Sequence, residues 1–129
     1  MLLAVVVVTA ALALLHRRYD GKTRQRNGAE DIRPLLEASG ERATLVQFSS
    51  AFCAPCRATR RVLAGAAAQV PGVLHLEIDA EDNLELVRRL GIVKTPTTLV
   101  LDADGHEVVR ATGQPRMADV LAAVGKAVS

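Results

Sequence analysis

Two cysteines, Cys53 and Cys56, make up the whole thiol content of this 129-residue chain. They stand in Phe52-Cys53-Ala54-Pro55-Cys56, just after the apolar run Thr44-Leu45-Val46-Gln47-Phe48. That run reads as a short buried strand and Ala54 to Gln69 as a helix, which puts the pair where a strand hands over to a helix start. The unpaired N–H groups and the dipole at such a start favour negative charge on Cys53. A thiolate is the reactive form of cysteine, and a Cys-X-X-Cys pair at a helix N-terminus lowers thiol pKa. The second thiol, one turn on, is close enough to close a disulfide with the first. The spacing therefore points to redox chemistry, ahead of an inert closed disulfide. A structural zinc site needs four protein ligands. There is no third cysteine, and His16, His75 and His106 lack zinc-type spacing, so no metal is expected.

Downstream, Leu90-Gly91-Ile92-Val93-Lys94-Thr95-Pro96-Thr97-Thr98-Leu99-Val100 sets a proline immediately before an apolar strand. With Phe-Cys-Ala-Pro-Cys, this Gly-Ile-x-x-Thr-Pro-Thr pattern resembles the thioredoxin family, over roughly Thr44 to Val124. The resemblance implies an α/β, thioredoxin-like fold: a mixed four-stranded sheet flanked by helices. It implies that Pro96 follows a cis peptide bond beside the disulfide, and that Thr95 offers its backbone to an incoming substrate chain. It implies a protein-disulfide reductase or thiol-disulfide exchange enzyme, with Cys53 attacking and Cys56 resolving. Phe52 takes the place of the family's usual tryptophan. In the family, proline before the second cysteine goes with reductants, so Ala54-Pro55 leans towards reduction.

One departure concerns protons. Gln47 stands where thioredoxins usually carry a buried aspartate, and His75 corresponds to the lysine that pairs with it. A neutral Gln–His pair is cheaper to desolvate than an ion pair. Two readings of it stay open: hydrogen-bonded core groups, or a histidine that takes over as proton acceptor.

Around these motifs the chain must supply the positioning elements. Half of the residues are apolar, with one tyrosine and two phenylalanines, so aliphatic side chains must form the core. Periodicity predicts a helix over Ala29–Ser39, strands Ala43–Ser49 and Val73–Asp79, and a short helix Asn83–Leu90 closed by Gly91. A hairpin follows through Asp102-Ala103-Asp104-Gly105, and then a last helix with Pro115 at its first position. This order implies a sheet with helices on both faces. The additional first strand of thioredoxins proper finds no apolar run to form it.

Ahead of the domain, Met1 to Leu15 carries no charged side chain. As a helix it spans ~22 Å at 1.5 Å per residue, against a hydrocarbon core of ~30 Å. With His16, Arg17 and Arg18 snorkelling outward, residues 1–18 read as an N-terminal transmembrane anchor, as in membrane-tethered bacterial relatives, with membrane lipid as a partner. A cleaved signal peptide and a buried helix are the alternatives. Residues 19–28 form a basic linker and residues 29–129 the folded domain. The segment from His16 to Gly28 carries a net charge of +4 within a chain of +2, leaving −2 on the domain. Nucleic acid is not an expected partner of such a domain. Positive charge behind the apolar run predicts a single-pass protein with a cytoplasmic domain; the alternative is extracytoplasmic.

No glycine-rich nucleotide motif is present and no cofactor is expected, so electrons must come from a protein donor and pass to substrate proteins with disulfides. Two other functions stay in view: a glutaredoxin-like, glutathione-dependent enzyme using Cys53 alone, and a metal-delivering or partner-holding module on the same fold.

Overall fold

Seven consecutive buried residues, Ala43–Ser49, form β1, and the other elements are arranged around it. The structure is a computed structural model and describes residues 1–19 and 30–129. The expected linker over 19–28 lies outside the described residues apart from its first position.

β2 (Val73–Asp79) runs parallel to β1. β3 (Thr97–Asp102) lies antiparallel on the other side of β1. β4 (Glu107–Thr112) pairs antiparallel with β3, which makes a mixed four-stranded sheet of order β2-β1-β3-β4. A strand covered on both faces buries side chains on both, and β1 does so, with Thr44, Gln47 and Ser49 buried among its apolar residues. On one face Ala43 and Leu45 pack with Leu63 and Ala66 of α2 (Ala54–Gln69) and with Val120, Ala123 and Val124 of α4 (Met117–Val128). On the other face Val46 and Phe48 pack with Leu99, Leu101, Ile32 and Leu90, the last from α3 (Leu84–Leu90). Gly91 ends α3 at φ 66°, the left-handed conformation that glycine adopts without a Cβ penalty.

Three expectations need correction. The helix over Ala29–Ser39 is, among the described residues, a single 3₁₀ turn, Arg33–Leu35. Pro34 removes one donor there, and the Asp31 carboxylate accepts from the Arg33 main-chain N–H and guanidinium, which favours a turn over helix propagation. The last helix starts at Met117 with Arg116 as its N-cap, so Pro115 precedes the helix instead of opening it.

The third correction concerns α1 (Leu2–Tyr19). The N-terminal segment is helical, with exposed side chains from Leu2 to Leu15. Among the described residues, however, no helix is long and apolar enough to cross a membrane. The uncharged stretch ends at Leu15, and His16, Arg17 and Arg18 fill the last turns, so ~22 Å of apolar helix falls short of a ~30 Å core. The transmembrane anchor is overturned. The lipid contact through 1–18 and the membrane-anchored localisation, with either side for the domain, lose their basis with it.

Candidate functional site

Cys53 is the N-cap of α2, with extended backbone at φ −102° and ψ 99°. Its sulfur accepts the Cys56 main-chain N–H at 3.2 Å, which satisfies one of the donors a helix start leaves free. Pro55 lies in the first turn, where a missing N–H costs nothing. Cys56, one turn on, faces the sheet at 1% exposure, while Cys53 stays half-buried and Ala54 and Pro55 are exposed. The two sulfurs are joined in a disulfide with the Cα atoms 5.2 Å apart. One thiol can thus meet a partner protein and the other meets only the first.

Phe52 adjoins the pair with φ 59° and a fully exposed ring. A bulky residue in the left-handed region stores strain of about 1–3 kcal/mol, and such positions cluster at functional sites. The cis bond lies at Thr95-Pro96. Pro96 is buried, and a hydroxyl–hydroxyl bond of 2.8 Å between Ser50 and Thr95 ties its loop to the end of β1, three residues before Cys53. The Pro96 carbonyl accepts from Gly113 N–H at 2.9 Å, so the loop is held from both sides.

Beneath the disulfide lies a polar cluster. The Gln47 side chain is fully buried, and its Nε2 donates to the Cys56 carbonyl at 2.8 Å and to Ser49 Oγ at 3.0 Å. Only the amide nitrogen can donate to a carbonyl, which turns Oε1 towards His75 Nε2 at 2.9 Å. His75 Nε2 must then carry the proton. Burial holds His75 below the ordinary imidazole range; nearby Glu77 opposes that lowering and Arg60 adds to it. Glu77 receives a forked pair from Arg60 at 2.7 and 2.9 Å and a longer bond from Ser49 Oγ at 3.3 Å. The cluster therefore runs from solvent at Arg60 to the main chain of Cys56.

All the residues marked in the sequence fall in or beside this one region: Cys53, Cys56, Phe52, Ala54, Pro55, Gln47 and His75, with Thr95 and Pro96 tied in through Ser50. Ser49, Ser50, Arg60 and Glu77 had no motif to announce them. The only signal available was strand alternation, which places Ser49 on the same face as Gln47.

A strand–helix junction carrying a closed Cys-X-X-Cys disulfide, on a mixed four-stranded sheet with a cis-proline loop, defines a thioredoxin-type redox domain. The comparisons agree. The family model described as Thioredoxin matches residues 32–126. Thioredoxin of Chlamydia muridarum is 36% identical over 89 residues, covering 69% of this chain and 79% of that protein. The human Thioredoxin domain-containing protein 2 is 37% identical over 68 residues, 53% of this chain, and the match spans only 12% of its length. Among solved structures, the short form of spinach chloroplast thioredoxin f superposes with TM-score 0.63 at 25% identity, covering 79% of this chain and 90% of that one. A thioredoxin mutant from Halobacterium salinarum gives TM-score 0.64 over 69% of this chain and 77% of that one; at 21% identity it attests the fold alone. The chain belongs to the thioredoxin family. A disulfide pair in a domain of that family is consistent with thiol–disulfide oxidoreductase activity.

Proposed function

We propose that the chain reduces or exchanges protein disulfides through Cys53 and Cys56, with Cys53 as nucleophile. The observation that carries this is the asymmetry of the pair: Cys53 half-exposed at a helix N-cap, Cys56 buried one turn on. In the reduced protein, the Cys53 thiolate receives the Cys56 N–H and the positive end of the helix dipole. It attacks one sulfur of a substrate disulfide. A bond forms from Cys53 to that sulfur, the substrate S–S bond breaks, and the departing substrate thiolate takes up a proton. Cys56, deprotonated, then attacks Cys53 Sγ, closes the disulfide seen here and releases the second substrate thiolate, which is protonated in turn. Two electrons and two protons pass to the substrate, and a dithiol on a second protein returns the electrons.

Phe52 supplies an apolar lip beside Cys53, and Thr95 supplies the main-chain edge against which a substrate segment lies. Gln47 and His75 position the main chain of Cys56. Catalysed reduction of a disulfide-bonded protein by the reduced chain tests the proposal. Turnover that disappears in Cys53→Ser is the expected result, and turnover that persists there would overturn it.

A further inference from the structure

β1 and β3 are paired as far as Phe48 and Thr97, and there the ladder stops. Pro96 brings no N–H to continue it. Extended by two residues, the same register sets Ser50 opposite Thr95. Main-chain pairing has ended at that point, and two side chains take its place. Ser50 Oγ and Thr95 Oγ1 stand 2.8 Å apart, the distance of a well-formed hydroxyl–hydroxyl bond. The bond joins residues 45 positions apart in the sequence. One strand end leads within three residues to Cys53, and the other carries Thr95 and Pro96 into β3. The neighbours of Thr95 are fixed by bonds that leave its own main chain alone. Thr97 Oγ1 donates to the Lys94 carbonyl at 2.7 Å, and the Pro96 carbonyl accepts from Gly113 N–H at 2.9 Å. Among the described residues, neither the N–H nor the C=O of Thr95 has a partner. Thr95 thus keeps one donor and one acceptor for an incoming chain. Of the bonds that hold this loop, only the one from Ser50 comes from the segment that carries the nucleophile.

We propose that Ser50 is a positioning residue. Through the Thr95 hydroxyl it sets the spacing between Cys53 and the Thr95 main chain, so that a substrate segment lying along Thr95 brings its disulfide to the Cys53 sulfur. The inference rests on the proposed role of Thr95 as the substrate edge. The bond also occupies the Thr95 hydroxyl, which otherwise competes for nearby main-chain groups. A protein disulfide is held by main chain and sulfur at once, and a fixed spacing between the two holding points favours attack. A small disulfide without a peptide main chain meets Cys53 without using Thr95 and gains nothing from that spacing. Ser50 therefore acts on the preference for protein disulfides over small ones, and not on the sulfur chemistry itself.

The test compares second-order rates at which the pre-reduced full chain reduces insulin and hydroxyethyl disulfide. In Ser50→Ala the ratio of the insulin rate to the hydroxyethyl disulfide rate falls by about two- to tenfold, the range of one neutral hydrogen bond. Thr95→Val removes the same bond from the other side and lowers the ratio alike, whereas Thr95→Ser keeps the hydroxyl and the parent ratio. The double variant Ser50→Ala, Thr95→Val falls no further than either single one, because both remove one interaction. An unchanged ratio in Ser50→Ala, an equal loss on both disulfides, or losses that add in the double variant would each overturn the proposal. The two Thr95 variants decide by themselves if Ser50→Ala fails to fold. A parent chain that reduces neither disulfide contradicts the redox reading itself, while an unchanged ratio in an active chain overturns only the role of Ser50.

Discussion

Gln47 and Cys56 are joined by a buried hydrogen bond of 2.8 Å, from the side-chain amide of the one to the main-chain carbonyl of the other. A neutral amide thus fixes the first turn of the redox helix from below, at the position where the family usually carries an acid. Gln47 Oε1 is occupied by His75, so the residue meets its hydrogen-bonding needs without ionising.

Gln47→Asp removes the amide donor and leaves the Cys56 carbonyl facing a buried acid. Losing a partner in this way costs about 1–3 kcal/mol, readable as a lower midpoint in urea unfolding. The new carboxyl is expected to titrate above the usual aspartate range because of desolvation. Once ionised it can take the Cys56 proton. Single-turnover release of substrate from the mixed disulfide should then speed up with pH between 6 and 9 relative to the parent chain. A flat ratio of the two rates across that range would show that proton transfer runs through another group.

His75 gives stability a pH dependence of known sign. Its folded-state pKa lies below the ordinary imidazole value of 6.5, chiefly through burial. Between the two values the unfolded chain binds more protons than the folded one, so stability falls as pH drops through 6.5 and is complete above it. His75→Gln keeps a donor towards Gln47 without the titration. The difference in unfolding free energy between parent and variant should therefore shrink on going from pH 8 to pH 5, measured by denaturant titration at each pH.

Phe52 is expected to contribute to substrate contact and not to folding. Its ring is solvent-exposed and its backbone sits at φ 59°, where glycine is unstrained. Phe52→Gly should leave stability within about 0.5–1 kcal/mol, as relief of strain offsets the added freedom of the unfolded chain. KM for a protein disulfide should rise several-fold, with kcat little changed.

Thr98 lies opposite Gln47 across the β1–β3 ladder, and its Oγ1 is buried with no hydrogen-bond partner among the described residues. Thr98→Val keeps the shape and removes the unpaired hydroxyl. Since an unsatisfied buried polar group costs about 1–3 kcal/mol, the variant should unfold at higher denaturant concentration than the parent.

Much of this arrangement is legible in the residue order. The all-apolar stretch at Leu45–Val46, the Pro71-Gly72 break and Asp104-Gly105 are local signals, and β1, α2, β2 and the β3–β4 hairpin formed where they pointed. The cysteine pair and Thr95-Pro96 marked the site because their types and spacing carry chemistry by themselves. What stayed hidden depends on contacts between residues far apart in the chain. The Ser50–Thr95 hydroxyl pair and the Arg60–Glu77 fork exist only once strands and helix are assembled. At Arg33–Leu35, the Asp31 carboxylate's bond from the Arg33 N–H, together with Pro34, outweighed an apolar spacing that suited a helix. In α1 the run of valines and leucines was right for a helix but too short for a membrane.

The central claim is the division of labour between Cys53 and Cys56, and mixed-disulfide trapping tests it most directly. The chain carrying Cys56→Ser, reduced and then exposed to oxidised substrate proteins, should hold them covalently through Cys53, in complexes that dissociate only with added reductant. The chain carrying Cys53→Ser should hold none, because its remaining thiol is 1% exposed. Equal trapping by the two variants, or trapping by Cys53→Ser alone, would contradict the account.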